Sequence, residues 1–139
     1  MTSSRISRPP IDLGPARLET LHESSCPTLA AAIAAIEPWS VMNYPADVLA
    51  RFLAAPDSGA DRLAVIAAGR EVGVVSVRYP WLKGPYLELL ALLPEAQGRG
   101  IGTAILVWLE AAAIEHGARN LWVCASSFNG RALRFYERN

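Results

Sequence analysis

Three glycines at alternate positions stand between an apolar run and a helix-forming segment. They are Gly98, Gly100 and Gly102, within EAQGRGIGTAIL (residues 95–106). Each glycine inside a helix costs about 1 kcal/mol relative to alanine, so helix propensity does not explain them. A strand–loop–helix joint presents backbone N–H groups at the positive end of a helix dipole, and a Cβ there would hold a bound phosphate away. The spacing therefore predicts a phosphate site.

The glycine spacing differs from those of two common phosphate-binding loops. It is not the GxGxxG of dinucleotide-binding folds, and it lacks the Lys-Ser/Thr pair of a P-loop. From the residues alone, tight packing at the joint remains an alternative interpretation. A nucleotide-binding protein that prefers ATP or NAD is a further alternative, against which the missing lysine and the missing ribose-binding acid both count.

Changes in hydrophobic period predict the elements that position this joint. After a loose arm over residues 1–15, we expect a strand at 16–21, helices at 24–37 and 45–55, strands at 62–68, 71–79 and 86–93, a helix from the glycines to Gly117, a strand at 120–125 and a last helix after it. Short turns make the three consecutive strands antiparallel, and a helical crossover makes the last strand parallel to its predecessor. The predicted fold class is mixed α/β.

Two landmarks carry a resemblance to a known family. LALLPEAQGRGIGTAIL (residues 90–106) resembles the acetyl-CoA-binding segment of the GCN5-related N-acetyltransferases, the GNAT superfamily, whose signature Gln/Arg-x-x-Gly-x-Gly/Ala is met by Gln97, Gly100 and Gly102. SFNGRALRFYERN (residues 127–139) resembles the family's second landmark. The resemblance covers residues 62–139 closely and the first sixty in outline. It implies a mostly antiparallel sheet, flanked by helices, with one parallel pair splayed at the cofactor cleft.

The resemblance implies acetyl-CoA as co-substrate and no metal. Backbone amides from Gly98 to Thr103 would then cradle the pyrophosphate, with Arg99 available to the outer phosphates. The backbones of Leu90 and Leu92 would meet the acetyl and pantetheine groups in the gap between the parallel strands. The cofactor residues expected on this basis are Leu90, Leu92, Gln97, Gly98, Arg99, Gly100, Ile101, Gly102, Thr103 and Asn129. Asn129 is also suited to cap the last helix.

Two residues are candidates for proton transfer. Tyr136 matches the family's tyrosine near the departing sulfur, where a phenol can protonate a thiolate; packing on the sheet is its alternative role. Glu88 is the acidic residue inside strand 86–93, and strand alternation predicts that it shares a face with Leu90 and Leu92. It is a candidate general base, and a solvated strand position explains it equally well.

The acceptor pocket is expected around four residues. Glu37, the second candidate base, precedes the PWS segment in the region where the family builds its acceptor site. Trp39, Tyr44 and Trp81 are predicted in loops beside this channel, where they would line a pocket for an apolar or peptide-like amine. Ordinary packing is the alternative for each of these aromatic residues.

Composition excludes several other classes of protein. The 13 basic and 13 acidic residues cancel, so no overall field attracts nucleic acid or an anionic membrane. Two cysteines cannot build a disulfide framework or a zinc site. The N-terminal residues lack the apolar segment of a signal peptide, and no apolar run reaches membrane-spanning length. These features predict a cytoplasmic protein with one domain over residues 1–139.

The chain ends at Asn139, before the family's usual last two strands. We therefore expect an exposed edge on the parallel strand, which favours association and makes a homodimer one expected assembly. The predicted function is transfer of an acetyl group from acetyl-CoA to a primary amine by direct attack in a ternary complex. A non-catalytic acyl-CoA-binding module, or a truncated inactive relative, is the alternative from another class.

Overall fold

The computed structural model describes residues 8–37, 39–81, 84–118 and 120–123, with only the backbone at Trp81. Its elements are strands β1 (Ile11–Asp12) and β2 (Arg17–Thr20), helices α1 (Cys26–Ala34) and α2 (Ala46–Ala54), strands β3 (Ala60–Ala67), β4 (Arg70–Trp81) and β5 (Gly84–Leu92), helix α3 (Ile101–Glu115) and strand β6 (Trp122–Val123). Within these residues the strands form one sheet in sequence order. The predicted order of helices and strands is confirmed from β2 to β6.

Strand directions follow from the lengths of the connections. The pairs from β1–β2 to β4–β5 are antiparallel, whereas β5 and β6 are parallel, with Tyr86 opposite Trp122 and Leu87 opposite Val123. A parallel pair requires a long crossover, and α3 provides it. The mixed α/β class with one parallel pair is therefore confirmed. The rest of the predicted strand 120–125 and the last helix lie outside the described residues.

The prediction of a loose arm over residues 1–15 is wrong at its C-terminal end. Ile11 and Asp12 pair with Leu18 and Arg17 as a short edge strand. The Asp12 carboxylate accepts a hydrogen bond from the Gly14 amide at 2.8 Å. Asp and Gly favour such turns because Asp bonds the backbone two residues ahead and Gly accepts unusual φ values. A turn of this chemistry folds the arm back onto β2.

The prediction that Trp81 lies in a loop is also wrong. Strand β4 continues to Trp81, which pairs with Gly84, the first residue of β5. The register shifts between Arg78 and Trp81, and Pro80 lies within this irregular stretch. Proline lacks the N–H that a regular ladder requires, so it is tolerated where the ladder is irregular. Strand β4 therefore extends past Pro80, whereas the sequence predicted that the strand ends at Tyr79.

Helices cover both faces of the sheet, giving two apolar clusters. On the α3 face, the buried helix residues Ile101, Ile105, Leu109 and Ala112 pack on sheet residues that include Leu18, Val65, Val75 and Leu87. On the α1–α2 face, Leu29, Ile33, Leu49 and Leu53 pack on Val74 and Ala91. The helix stripe has the i, i+4, i+8 spacing of one helix face, so its burial follows from the sequence. Burial of this stripe fixes the axis of α3 and hence the position of its first turn.

Candidate functional site

The glycine loop between β5 and α3 has an open, left-handed backbone. Gly98 and Gly100 have φ values of +76° and +78°, a region that side chains with a Cβ rarely adopt. A Cβ at either position would meet no heavy atom of the described residues within 4 Å. Gly100 is the N-cap of α3, and Gly102 lies in its first turn. Two of the three glycines are therefore needed by the loop conformation itself, and no described residue covers the loop at these two positions.

The first turn of α3 is arranged to receive an anion. No side chain in the described part of the chain caps it, and its residues include no acid. The first N–H groups of an α-helix have no partner within the helix, and they carry the positive end of its dipole. Ile101 is buried and anchors the turn, whereas Arg99 and Thr103 are exposed beside it. These features fit the diphosphate of coenzyme A.

Gln97 lies at the start of this loop, but its side chain is directed back toward β5. Its Nε2 donates a hydrogen bond to the backbone carbonyl of Leu92 at 2.9 Å. Leu90 and Leu92 are partly buried, and their side chains pack on the α3-face core. Both side chains therefore belong to the packed interior on this face. The expected roles of their backbones toward a cofactor stay predictions.

Glu88 lies on the α1–α2 face, so the prediction that it shares a face with Leu90 and Leu92 is wrong. Ser76 pairs with Leu89 and Val77 pairs with Leu87, so the register shifts at this point. Glu88 is thus an additional residue in β5, which makes a β-bulge and interrupts the alternation of faces. Its carboxylate accepts hydrogen bonds from Ser76 Oγ at 2.7 Å and from Arg78 Nε at 3.2 Å.

A chain of ion pairs extends from Glu88 across the α1–α2 face. Arg78 also donates to Asp57 Oδ2 at 2.7 Å, and Arg62 lies 3.6 Å from the same oxygen. The hydrogen bond from Arg78 holds the pKa of Asp57 below its usual value, and the Gly59 amide adds to this effect. Asp57 in turn raises the pKa of Arg78. Both charges are therefore maintained at neutral pH, and Arg78 holds Glu88 in place.

Sequence reasoning missed the partners of Glu88. Ser76 and Arg78 are polar residues two positions apart within the mainly apolar stretch 72–79 of β4, which places them on one face. Their spacing was a usable signal. Asp57 gave no comparable signal, because it lies in the turn before β3 and reaches Arg78 only through the fold.

The segment between α1 and α2 lies on the same side of the sheet as Glu88. Trp39 is partly buried against the α1–α2-face cluster, which supports packing as at least part of its role. Glu37 is exposed, and Tyr44 is exposed together with Val41 and Met42. Exposed apolar and aromatic side chains therefore lie at residues 41–44, and their expected part in an acceptor pocket stays a prediction. Trp81 is in a strand.

Two predicted site residues, Asn129 and Tyr136, lie outside the described residues, and their roles stay predictions. Within residues 8–37, 39–81, 84–118 and 120–123, no group of three or more His, Cys, Asp or Glu side chains could hold a metal ion. None of the helices in that part of the chain is long and apolar enough to cross a membrane.

Comparison with known proteins identifies the family. The sequence model of the acetyltransferase (GNAT) family matches residues 21–139, and the chain therefore belongs to this family. The match extends the resemblance, which the motifs placed mainly at residues 62–139, into the N-terminal part of the chain.

Solved structures show the same fold at low sequence identity. A ribosomal-protein-alanine N-acetyltransferase from Brucella melitensis is 21% identical, with 88% of this chain and 89% of that chain covered and a TM-score of 0.70. A PaiA N-acetyltransferase from Thermoplasma acidophilum, in complex with coenzyme A, is 16% identical over 89% and 87%, with a TM-score of 0.68. An aminoglycoside acetyltransferase from an uncultured soil metagenomic sample, in complex with sisomicin, is 19% identical over 89% and 86%, with a TM-score of 0.59.

Proposed function

We propose that this chain is an acetyl-CoA-dependent N-acetyltransferase that acts on a primary amine by direct attack in a ternary complex. The observation that carries the proposal is the open loop at Gly98 and Gly100, which leads into a first turn of α3 that no described side chain caps. Membership of the GNAT family and the coenzyme A bound by the Thermoplasma protein support acetyl-CoA as the ligand. The amides from Gly98 to Thr103 would bind its diphosphate, with Arg99 close to the outer phosphates.

The reaction needs proton transfer at two atoms. The amine nitrogen attacks the thioester carbonyl carbon, so that a C–N bond forms and the C–S bond breaks. The nitrogen gives up one proton, and the departing thiolate takes up another. A backbone amide near Leu90 or Leu92 that faced the thioester oxygen would stabilise the oxyanion by about 3 kcal/mol. Tyr136 is the proposed proton donor to the sulfur.

Glu88 is the proposed acceptor of the amine proton. Ser76 and Arg78 fix its carboxylate on the α1–α2 face, and its side chain is 14% exposed, so a small amine can still reach it. A carboxylate has about four lone-pair sites, and two donors leave room for a third. Glu37 is the second candidate, because it is exposed near the start of the segment that follows α1.

The acceptor is proposed to be an amine that carries an apolar or peptide-like group. The exposed residues Val41, Met42 and Tyr44 offer apolar contact area near the expected acceptor side, and Trp39 and Trp81 complete the proposed set. The names of the similar proteins include a ribosomal-protein alanine and an aminoglycoside. Both named acceptors carry an amine and are otherwise unlike each other. Attack by an amine is therefore the feature that we transfer to this chain.

A non-catalytic acyl-CoA-binding module is the second candidate function. The observation that favours it is the engagement of Glu88, whose two carboxylate oxygens already accept hydrogen bonds from Ser76 and Arg78. Such an arrangement also suits a carboxylate that only holds neighbouring strands together. The two functions share the coenzyme A site and differ in turnover.

The substitution Glu88→Gln distinguishes these functions. For an enzyme that uses Glu88 as general base, we expect kcat to fall by about 10²- to 10⁴-fold while the Kd for acetyl-CoA is unchanged. The assay is release of free thiol from acetyl-CoA against a panel of primary amines, with calorimetry for the Kd. Tyr136→Phe should also lower kcat without changing the Kd.

The matched control is Glu71→Gln. Glu71 is a half-buried strand glutamate that accepts a hydrogen bond from the Ser25 hydroxyl at 2.8 Å, as Glu88 does from Ser76. This variant should turn over at the wild-type rate. Full activity of Glu88→Gln would contradict the role of Glu88. Acetyl-CoA binding by the wild-type protein without turnover of any amine would favour the second function.

A further inference from the structure

The side chain of Gln97 joins the two parts of the proposed cofactor site. We infer that Gln97 is a positioning residue, which sets the spacing between the glycine loop and β5 and does not itself contact the phosphates. This inference rests on the proposed function, in which the loop holds the diphosphate and β5 holds the pantetheine arm.

Both the backbone and the side chain of Gln97 bond to the segment before it. The backbone N–H donates to the Pro94 carbonyl at 3.2 Å, and the side-chain Nε2 donates to the Leu92 carbonyl at 2.9 Å. The half-buried side chain thus reaches back across five residues to the last residue of β5. Its amide donor is directed toward the sheet.

The acceptor of this bond is a fixed point. Leu92 pairs with Gly73 of β4, and the next residue, Leu93, donates its N–H to the Val72 carbonyl at 2.8 Å. Because these contacts join the backbone on both sides of the Leu92 carbonyl to β4, this carbonyl moves with the sheet. Gln97 therefore connects the loop to a part of the protein whose position is set by the antiparallel ladder.

The loop beyond Gln97 needs such a connection. Gly98 and Gly100 are exposed, and a Cβ at either would touch no described residue, so side-chain packing at these positions does not restrain the loop. Glycine also has the largest backbone freedom of any residue. One molecule of coenzyme A would occupy the loop and β5 together. Its diphosphate and its pantetheine arm can both bind well only where the protein holds the loop and β5 at the matching distance. Loss of the Gln97 bond should therefore weaken binding of the whole molecule.

The test is Gln97→Met, which keeps the length of the side chain and removes the N–H donor. We expect the backbone order parameters of residues 98–102, from ¹⁵N relaxation of the unliganded protein, to fall from about 0.85 toward 0.6. The Kd for coenzyme A should rise about three- to tenfold, the effect of losing one hydrogen bond. The Kd for pantetheine, which has no diphosphate, should be unchanged.

The matched control is Glu95→Gln, in the same turn. It breaks the exposed ion pair between Arg70 and Glu95, at 3.2 Å, and such pairs contribute little. Neither the order parameters nor either Kd should change. This control separates the Gln97 bond from any general disturbance of the turn.

Each outcome decides the inference. Unchanged order parameters in Gln97→Met, with a raised Kd for coenzyme A, would show direct contact with the ligand and would overturn the positioning role. Unchanged order parameters and unchanged Kd would also overturn it. If the wild-type protein does not bind coenzyme A, the proposed function fails first, and the role assigned to Gln97 fails with it.

Discussion

Replacing Gly100 with alanine is expected to raise the Kd for coenzyme A about tenfold to a hundredfold, because losing one charge-assisted hydrogen bond costs about 1.5–3 kcal/mol. Gly100 has a φ of +78° and forms the N-cap of α3. The new Cβ would enter the open space where the diphosphate is proposed to lie, and it would hold the ligand away from the backbone amides. A left-handed conformation also costs about 1–2 kcal/mol for a residue with a Cβ. Calorimetric titration measures the Kd, and urea unfolding measures the stability.

The chain contains a matched control for this substitution at the other end of α3. Gly117 has a φ of +74°, and a Cβ there would also meet no heavy atom of the described residues within 4 Å. Gly117→Ala should therefore lose a similar free energy of unfolding and bind coenzyme A as the wild-type protein does. Equal affinities of Gly100→Ala and the wild-type protein would contradict the proposed site. An equal loss of affinity in both variants would show that the effect arises from stability alone.

Replacing Leu109 with alanine is expected to lower the free energy of unfolding by about 3 kcal/mol, the usual cost of a cavity in a packed core. Leu109 is fully buried in the α3-face cluster, and its side chain helps hold α3 against the sheet. The measurement is the urea midpoint with the slope m, which should stay constant if only stability changes.

Ile114→Ala is the control for Leu109→Ala, because it removes an aliphatic side chain from the same helix. Ile114 is 75% exposed, and surface substitutions usually change stability by less than about 0.5 kcal/mol. A comparable loss in both variants would contradict the packing of α3 on this face. Since the first turn of α3 belongs to the proposed cofactor site, such a result would also remove the basis for that site's position.

The order of elements and the face of α3 could be predicted from the sequence because both depend on local periodicity. Ile101, Ile105 and Leu109 recur at intervals of four, and helical spacing alone places them on one side. The glycine joint could likewise be recognised, because Gly98 and Gly100 stand between an apolar run and a segment that favours a helix. These features can be predicted without knowing which strands pair.

The features that escaped prediction depend on contacts between distant parts of the chain. The face of Glu88 was wrongly predicted because alternation assumes a regular ladder, and a bulge appears only when β5 pairs with β4 in a particular register. The bond from Gln97 to Leu92 depends on how the loop folds back, which no periodicity encodes. Asp57 meets Arg78 only after α2 has packed on the sheet.

The errors at β1 and at Trp81 have a similar cause. Strand β1 is two residues long, too short to show any alternation, and its pairing follows from the turn at Gly14. Trp81 was predicted in a loop because it follows the strand predicted at 71–79, within the turn-like segment PWLKGP (residues 80–85). The irregular register beside Arg78 accommodates the proline without ending the hairpin.

Calorimetric titration of the 139-residue chain with acetyl-CoA, with ATP and NAD as comparison ligands, tests the central claim most directly. The account predicts saturable binding of acetyl-CoA at one site and much weaker binding of ATP and NAD. Gly117→Ala should reproduce this preference. Binding of ATP or NAD as tight as that of acetyl-CoA, or no binding of acetyl-CoA by the folded chain, would contradict the assignment of the glycine loop as a coenzyme A site.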